Sequence, residues 1–348
     1  MRDRIARGEW CRYSTDFGYV GEFPDYPKMG DTEHFLLVGV NVFTDAFSQF
    51  VSSDLAWMEK PAAGPLTDCP SAASLLHGLF RDLRHADGSQ AFTATPAQQT
   101  DPSTTGYLVS AADVYNKPGE FLSIIPVTEN GTSGQPELGA ARTLAVPTFE
   151  IPPNAPQKDS KELLDTHDAR VLNAVSAIDP RFDRTALWTS HAVLGGAGSE
   201  QRWYEIDVDA DAPALLQSGA VSSPTLYVFN GAISPDRAVG PDGSAFGSNM
   251  VLGFNTSSPT GNAAIQMVSK IGADAQSAFV LIKESPDGYK DFTCQSYCRW
   301  GDYSGATPDP AADLSGETGV VWLTNQWNAP QINGSQAHWR TWNWAATH

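Results

Sequence analysis

Four short stretches of this sequence place charged and hydrogen-bonding side chains at matching positions. Asp25 and Lys28 lie in FPDYPKMG (23–30), Asp168, Arg170 and Asn173 in THDARVLN (166–173), Asn230 in FNGA (229–232), and Arg299, Asp302 and Tyr303 in RWGDYSG (299–305). Converging carboxylates and arginines suit a carbohydrate, including one that bears a carboxylate. Arginine grips a carboxylate through two parallel hydrogen bonds, and paired carboxylates can divide acid and base work across a glycosidic bond. On that chemistry Asp25 and Asp302 are the expected catalytic carboxylates. Arg170 and Arg299 would orient the substrate, with Lys28, Asn173, Asn230 and Tyr303 completing its binding. The same residue types also stitch neighbouring strands together through ion pairs and hydrogen bonds. The alternative is therefore a non-catalytic binding or surface-display protein in which these residues are structural.

His167, between Asp165 and Asp168, is of the type that serves as a base or a metal ligand, although a single histidine in a polar turn is usually no more than that. DVDAD (207–211) alternates carboxylates like a calcium loop but lacks the glycine and glutamate that follow in an EF-hand, so an acidic turn is expected. No metal ligands and no required cofactor are expected; calcium is the one ion left open. No GxSxG elbow, HExxH helix or phosphate-binding glycine loop occurs, which removes support for a serine hydrolase, a zincin or a nucleotide-binding protein. Trp322, Trp327, Trp339, Trp342 and Trp344 crowd the C-terminal end. Their partly alternate spacing points to sheet packing rather than to a sugar-stacking platform.

The elements that must position these residues are strands. Most apolar runs are short, rich in Val, Thr, Tyr, Phe and Trp, and end at Gly, Pro, Asp or Asn, the punctuation of strands and turns. The exception is SAASLLHGLFRDLR (71–84), where Leu75, Leu76, Leu79, Phe80 and Leu83 share one helical face behind Ser71 or Ser74 as cap; this spacing predicts a helix. An inexact repeat organises the strands: small and polar residues, a turn, then a strongly apolar run. It recurs through 25–43, 94–114, 173–193, 230–257 and 301–327. Units repeating at tens of residues, each burying its faces only against its neighbours, describe a β-propeller.

The expected class is thus all-β, a single propeller domain over residues 1–348 with blades at about 23–90, 91–150, 170–222, 225–292 and 298–348. Six blades is the alternative count. The fifth blade has few strands of its own, so the N-terminal segment around Trp10–Tyr13 is expected to complete it and close the ring. Innermost strands line the channel of a propeller, which is where Asp25, Asp302 and their companions would meet. A sandwich or a pair of smaller β domains is the rival, with the Pro-rich stretch 151–162 as its linker.

A formal charge of −18 argues against nucleic acid as a partner, because phosphate neutralisation needs clustered Lys and Arg. No apolar run reaches the roughly eighteen residues of a membrane-spanning helix. MRDRIARGEW (1–10) lacks the apolar core of a signal peptide. Cys294 and Cys298 have the spacing of a small disulfide-closed loop, and Cys11 would then pair with Cys69; free thiols and a metal site are the alternatives. Two disulfides would place the protein outside the cytosol, secreted or at the cell surface.

RWGDYSGATPDP (299–310) with GVVWLTNQW (319–327), FPDYPKMG with FLLVGVNVF (35–43), and LLDTHDARVLNAVSAID (163–179) with ALWTSHAV (186–193) and QRWYEIDV (201–208) carry a further likeness. Together they resemble secreted bacterial proteins with sialidase-like propellers, of the exo-α-sialidase type, over most of the chain. The resemblance implies an exported or surface propeller, expected to be a monomer, whose axial cleft takes a carbohydrate or another small polar ligand. The S-x-D-x-G-x-x-W turns of sialidases do not occur in this sequence.

Overall fold

The computed structural model describes residues 11–46, 49–61, 69, 71–236, 248–309, 319–330 and 338–346. Its strands form five small sheets arranged as a five-bladed β-propeller, the class and blade number that the repeat predicts. Blade 1 runs through Glu22–Asp31, Phe35–Thr44, Phe50–Glu59 and His77–Phe80, and blade 2 through Thr95–Pro96, Thr105–Ala111, Gly119–Glu129 and Arg142–Phe149. Blade 3 holds Val171–Asp179, Arg184–Gly195, Gly198–Asp207 and Ala214–Val221. Blade 4 holds Tyr227–Pro235, Met250–Ser258, Gly261–Lys270 and Val280–Glu284, and blade 5 Gly305–Pro308, Val321–Asn328 and Trp339–Ala346.

Neighbouring strands within a blade pair antiparallel, as short turns demand. Where blade 2 passes to blade 3, Gln98–Gln99 instead adds in parallel to Val171–Asp179. Middle strands such as Arg184–Gly195 are buried almost continuously, because both faces of a blade are covered by its neighbours. The core is accordingly divided among the seams. Leu37, Leu55 and Trp57 of blade 1 pack with Leu108 and Ile125 of blade 2, and Ile124 of blade 2 packs with Leu187 and Tyr204 of blade 3. Trp188 and Trp203 meet Leu252 and Phe254 between blades 3 and 4, and Ile265 meets Leu323 and Trp344 between blades 4 and 5. Among the described residues no such apolar cluster joins blade 5 to blade 1.

Two sequence expectations resolve differently. Residues 71–84 are not a helix: a 3-10 turn at Ala72–Ser74 leads into His77–Phe80, which pairs with Leu55–Met58 at the edge of blade 1. Gly78 interrupts the helical pattern and sits directly on the Trp57 ring, so pairing with the sheet overrides the apolar periodicity. Among the described residues blade 5 has three strands, all from residues 305–346, and residues 11–13 add none to it; Lys28 of Glu22–Asp31 meets the segment ahead of it at the Asp302 carbonyl. Cys11 is bonded to Cys69, Thr15 reaches Met58 and Tyr19 reaches Asp54, so residues 11–19 run along blade 1; Trp10 lies outside the described residues. The stretch 151–162 is tied down: Gln157 binds the backbone of Tyr289, and Pro156 accepts a hydrogen bond from Ser257.

Both disulfides form, Cys11–Cys69 with Cα atoms 5.4 Å apart and Cys294–Cys298 with 4.0 Å, which is compatible with an extracellular protein. No helix of the described residues is long and apolar enough to cross a membrane.

Candidate functional site

Three of the five inner strands, in blades 1, 3 and 4, enter the axis through an irregularity. The register of Glu22–Asp31 slips between Asp25 and Lys28, that of Val171–Asp179 between Val171 and Asn173, and that of Tyr227–Pro235 between Phe229 and Ala232. At or just before these slips Tyr26, His167, Ala169 and Asn230 hold left-handed backbone, with φ of 58°, 64°, 64° and 53°, and Gly301 does so ahead of blade 5 at 66°. A bulge turns side chains off the regular alternation of a strand. Here the irregular entries turn Lys28 and Arg170 toward Asp302 and Tyr303 at one mouth of the axis, and turn Asn173 and Asn230 onto neighbouring blades.

At the seam between blades 5 and 1, the Lys28 ammonium donates to the Asp302 carbonyl at 2.9 Å and lies 4.1 Å from the Tyr26 ring centre and 4.4 Å from that of Tyr303. Burial, and then the Arg170 charge, pull the Lys28 pKa down to about 7. Arg170 is gripped by Asp168 through two hydrogen bonds of 2.5 and 2.6 Å, and its guanidinium stacks between Tyr26 and Phe92 at 4.9 and 4.8 Å. Tyr115 donates to the same carboxylate at 2.7 Å. Burial works against the Asp168 charge, but the Arg170 hydrogen bonds and charge outweigh it and hold the carboxyl below its usual range. This pair is saturated and half-enclosed, with Asp168 and Arg170 at the edge of a 440 Å³ pocket lined by Phe43, Phe50, Phe92 and Tyr115.

Asp302 faces outward. Arg299 donates to its Oδ2 at 2.6 Å, and both residues line an open pocket of 460 Å³ with Tyr289, Trp300, Tyr303 and Trp339. Asp25 belongs to the same mouth: after burial, the charges of Asp25 and Asp302 are what push the Tyr303 phenol pKa up. His167 is buried behind this rim, its backbone N–H donating to Asp165 Oδ1 at 2.8 Å. Burial pulls its pKa down, leaving the imidazole neutral at pH 7.

Of the residues singled out by the sequence, Asp25, Lys28, Arg170, Arg299, Asp302 and Tyr303 converge at this mouth. Asn173 and Asn230 do not present themselves to a ligand in the same way. Asn173 exchanges hydrogen bonds with the backbone of Ile233 at 2.9 and 3.3 Å, and Asn230 donates to the Trp300 carbonyl at 3.1 Å, so both join blades. Trp344 packs in the core, as the alternate tryptophan spacing predicts, but Trp339 is 59% exposed and lines the pocket. Tyr26, Phe92 and Tyr115 were hidden from sequence reasoning: only Tyr26 lies inside a repeated motif, and its burial depends on the bulge. The DVDAD stretch is an acidic turn whose Asp209 accepts the Thr185 N–H and whose Asp207 lies 3.5 Å from Arg184.

No family model matches the chain, and no curated protein matches it. Among solved structures the chain is similar to a Trypanosoma rangeli sialidase at 11% identity and a TM-score of 0.44, covering 88% of this chain and 44% of that one. The chain therefore spans less than half the length of that protein.

Proposed function

We propose that the axial mouth binds a carbohydrate, in a protein exported to the cell surface or the medium. The observation that carries this reading is the 460 Å³ pocket, in which the rings of Phe292, Tyr303 and Trp339 stand beside Arg299, Asp302 and Gln326. Ring faces cover the C–H surface of a sugar, while a few placed charged and amide groups fix its hydroxyls. Phe292 is 82% exposed, so this apolar surface is available to a ligand and is not spent on the core. Lys28, Arg170, Asn173 and Asn230 serve the mouth from behind, as the frame that holds the rim in place. Hydrolysis is the second reading, favoured by two carboxylates, Asp302 lining the open pocket and Asp25 close enough for its charge to act on Tyr303.

A glycan array and a fluorogenic glycoside panel, run on the wild type and on Trp339→Ala, Asp25→Asn and Asp302→Asn, test it. Binding of one glycan class should fall at least tenfold in Trp339→Ala with the melting temperature unchanged. Turnover that disappears in either Asp variant would add hydrolysis. An array with no bound glycan, together with no cleaved glycoside, would remove the carbohydrate reading.

A further inference from the structure

Asp165, His167 and Asp302 come from two turns more than a hundred residues apart in the chain, yet one ligand atom from each lies within 4.8 Å of the others. Among the described residues this is the one group of His, Cys, Asp and Glu so disposed. Hydrogen bonding leaves each of them a free ligand atom. Asp165 uses Oδ1 for the His167 backbone N–H and Asp302 uses Oδ2 for Arg299, so Asp165 Oδ2 and Asp302 Oδ1 stay open.

His167 is the more telling member. It is only 8% exposed, and its ring makes one hydrogen bond, between Nε2 and the Gly301 carbonyl at 3.3 Å, which leaves Nδ1 with no protein partner. A buried imidazole nitrogen with no partner is costly unless something else takes its lone pair. A metal-bound histidine commonly donates its other ring N–H to a backbone carbonyl, the place that Gly301 takes here. The charge balance also allows a cation. Asp25, Asp165, Asp168 and Asp302 outnumber Lys28, Arg170 and Arg299 at this mouth, and Asp168 with Arg170 is already a closed pair.

We propose that Asp165, His167 and Asp302 form a site for a divalent transition-metal ion, with the Gly301 carbonyl orienting the imidazole. A nitrogen donor among carboxylates suits Zn²⁺ or Mn²⁺ better than Ca²⁺, whose shells are built of oxygen. The remaining coordination positions face the pocket that Asp302 lines, where they can take ligand hydroxyls or a water. The site stands independently of the carbohydrate reading, since metal titration alone decides it.

The test uses the full chain stripped with a chelator, titrated calorimetrically with Zn²⁺, Mn²⁺ and Ca²⁺. The wild type should take up one Zn²⁺ per chain at micromolar concentration or below, with Ca²⁺ at least tenfold weaker. Asp165→Asn and Asp302→Asn should each weaken Zn²⁺ at least tenfold, while Asp211→Asn in the remote acidic turn should leave it unchanged. Because either variant at the mouth can fail to fold, the Mn²⁺-loaded wild type is also read by pulsed electron paramagnetic resonance, which should show one directly bound imidazole nitrogen. No uptake by the stripped wild type, undiminished binding in both variants, equal loss in Asp211→Asn, Ca²⁺ binding as tight as Zn²⁺, or an imidazole-free Mn²⁺ spectrum would each overturn the site.

Discussion

Glu205 shows how far a single side chain in this fold departs from its ordinary behaviour. It lies fully buried on Gly198–Asp207, where its Oε2 accepts the Gln217 amide at 2.6 Å. Its Oε1 and Asp179 Oδ2 have no hydrogen-bond partner unless the two carboxyls share a proton. Burial, and then the hydrogen bond and charge of Asp179, raise the Glu205 pKa far above its ordinary 4.5; Arg181 opposes this, and Lys270 stands nearby, donating to Gln217 at 2.7 Å. The sign of the pH effect follows. Above about pH 5 the unfolded chain has lost this proton and the native state keeps it, so stability falls as pH rises toward 8. Glu205→Gln keeps the shape and supplies an amide donor to Asp179 without a titrating proton. It should be close to neutral at pH 5 and stabilising by roughly 1–3 kcal/mol at pH 8, read from urea unfolding at both values. An equal effect at the two pH values would mean that the pair does not share a proton.

The elements that decide the site are the irregular entries of the inner strands, bulges in blades 1, 3 and 4 and the left-handed Gly301 ahead of blade 5. Gly301 holds φ of 66° immediately before Asp302, and a Cβ there would run into the side chain of Asn230, which carries the hydrogen bond to Trp300. Gly301→Ala should therefore cost about 2–4 kcal/mol in chemical denaturation, from backbone strain and overpacking together. Gly131→Ala, with open space around it and no unusual φ, should change stability by less than about 0.5 kcal/mol. The same bulges mark the limit of what the sequence discloses. The repeat places Asp25, Lys28, Arg170, Arg299, Asp302 and Tyr303 at the starts of inner strands, so their convergence follows once the strands ring an axis. Asn173 and Asn230 share that repeat position and still point to neighbouring blades, because a one-residue slip sends a side chain to the other face. His167 and Asp165 are visible as a pair, but Asp302 joins them only because Leu163–Asp165 pairs with Cys298 through the backbone, which no local spacing encodes. The helix expected at 71–84 fails for a related reason: its apolar stripe serves equally well a strand that finishes a blade.

At the scale of the whole molecule, the ring is not uniform. Four seams are filled by apolar clusters, whereas the fifth is held by Lys28 on the Asp302 carbonyl and by Tyr26 against Tyr303, with ring centres 5.4 Å apart. Apolar burial contributes about 25 cal/mol per Å², and a seam made of one buried ammonium and two phenols forgoes much of it while paying to desolvate a charge. Local opening should therefore begin there. Native-state hydrogen exchange should find the amides of Glu22–Asp31 and Gly305–Pro308 exchanging about 10–100-fold faster than those of Val171–Asp179, a difference of about 1.4–2.8 kcal/mol in opening free energy. Uniform protection around the ring would contradict this weak seam. The candidate site sits on that seam, with Asp25 and Lys28 contributed from one side and Arg299, Asp302 and Tyr303 from the other. A ligand that binds both sides stabilises the closed ring by its own binding free energy. Exchange at these two strands should then slow when the mouth is filled, while Val171–Asp179 stays unchanged, and slowing spread over all five blades would mean that the ligand binds elsewhere.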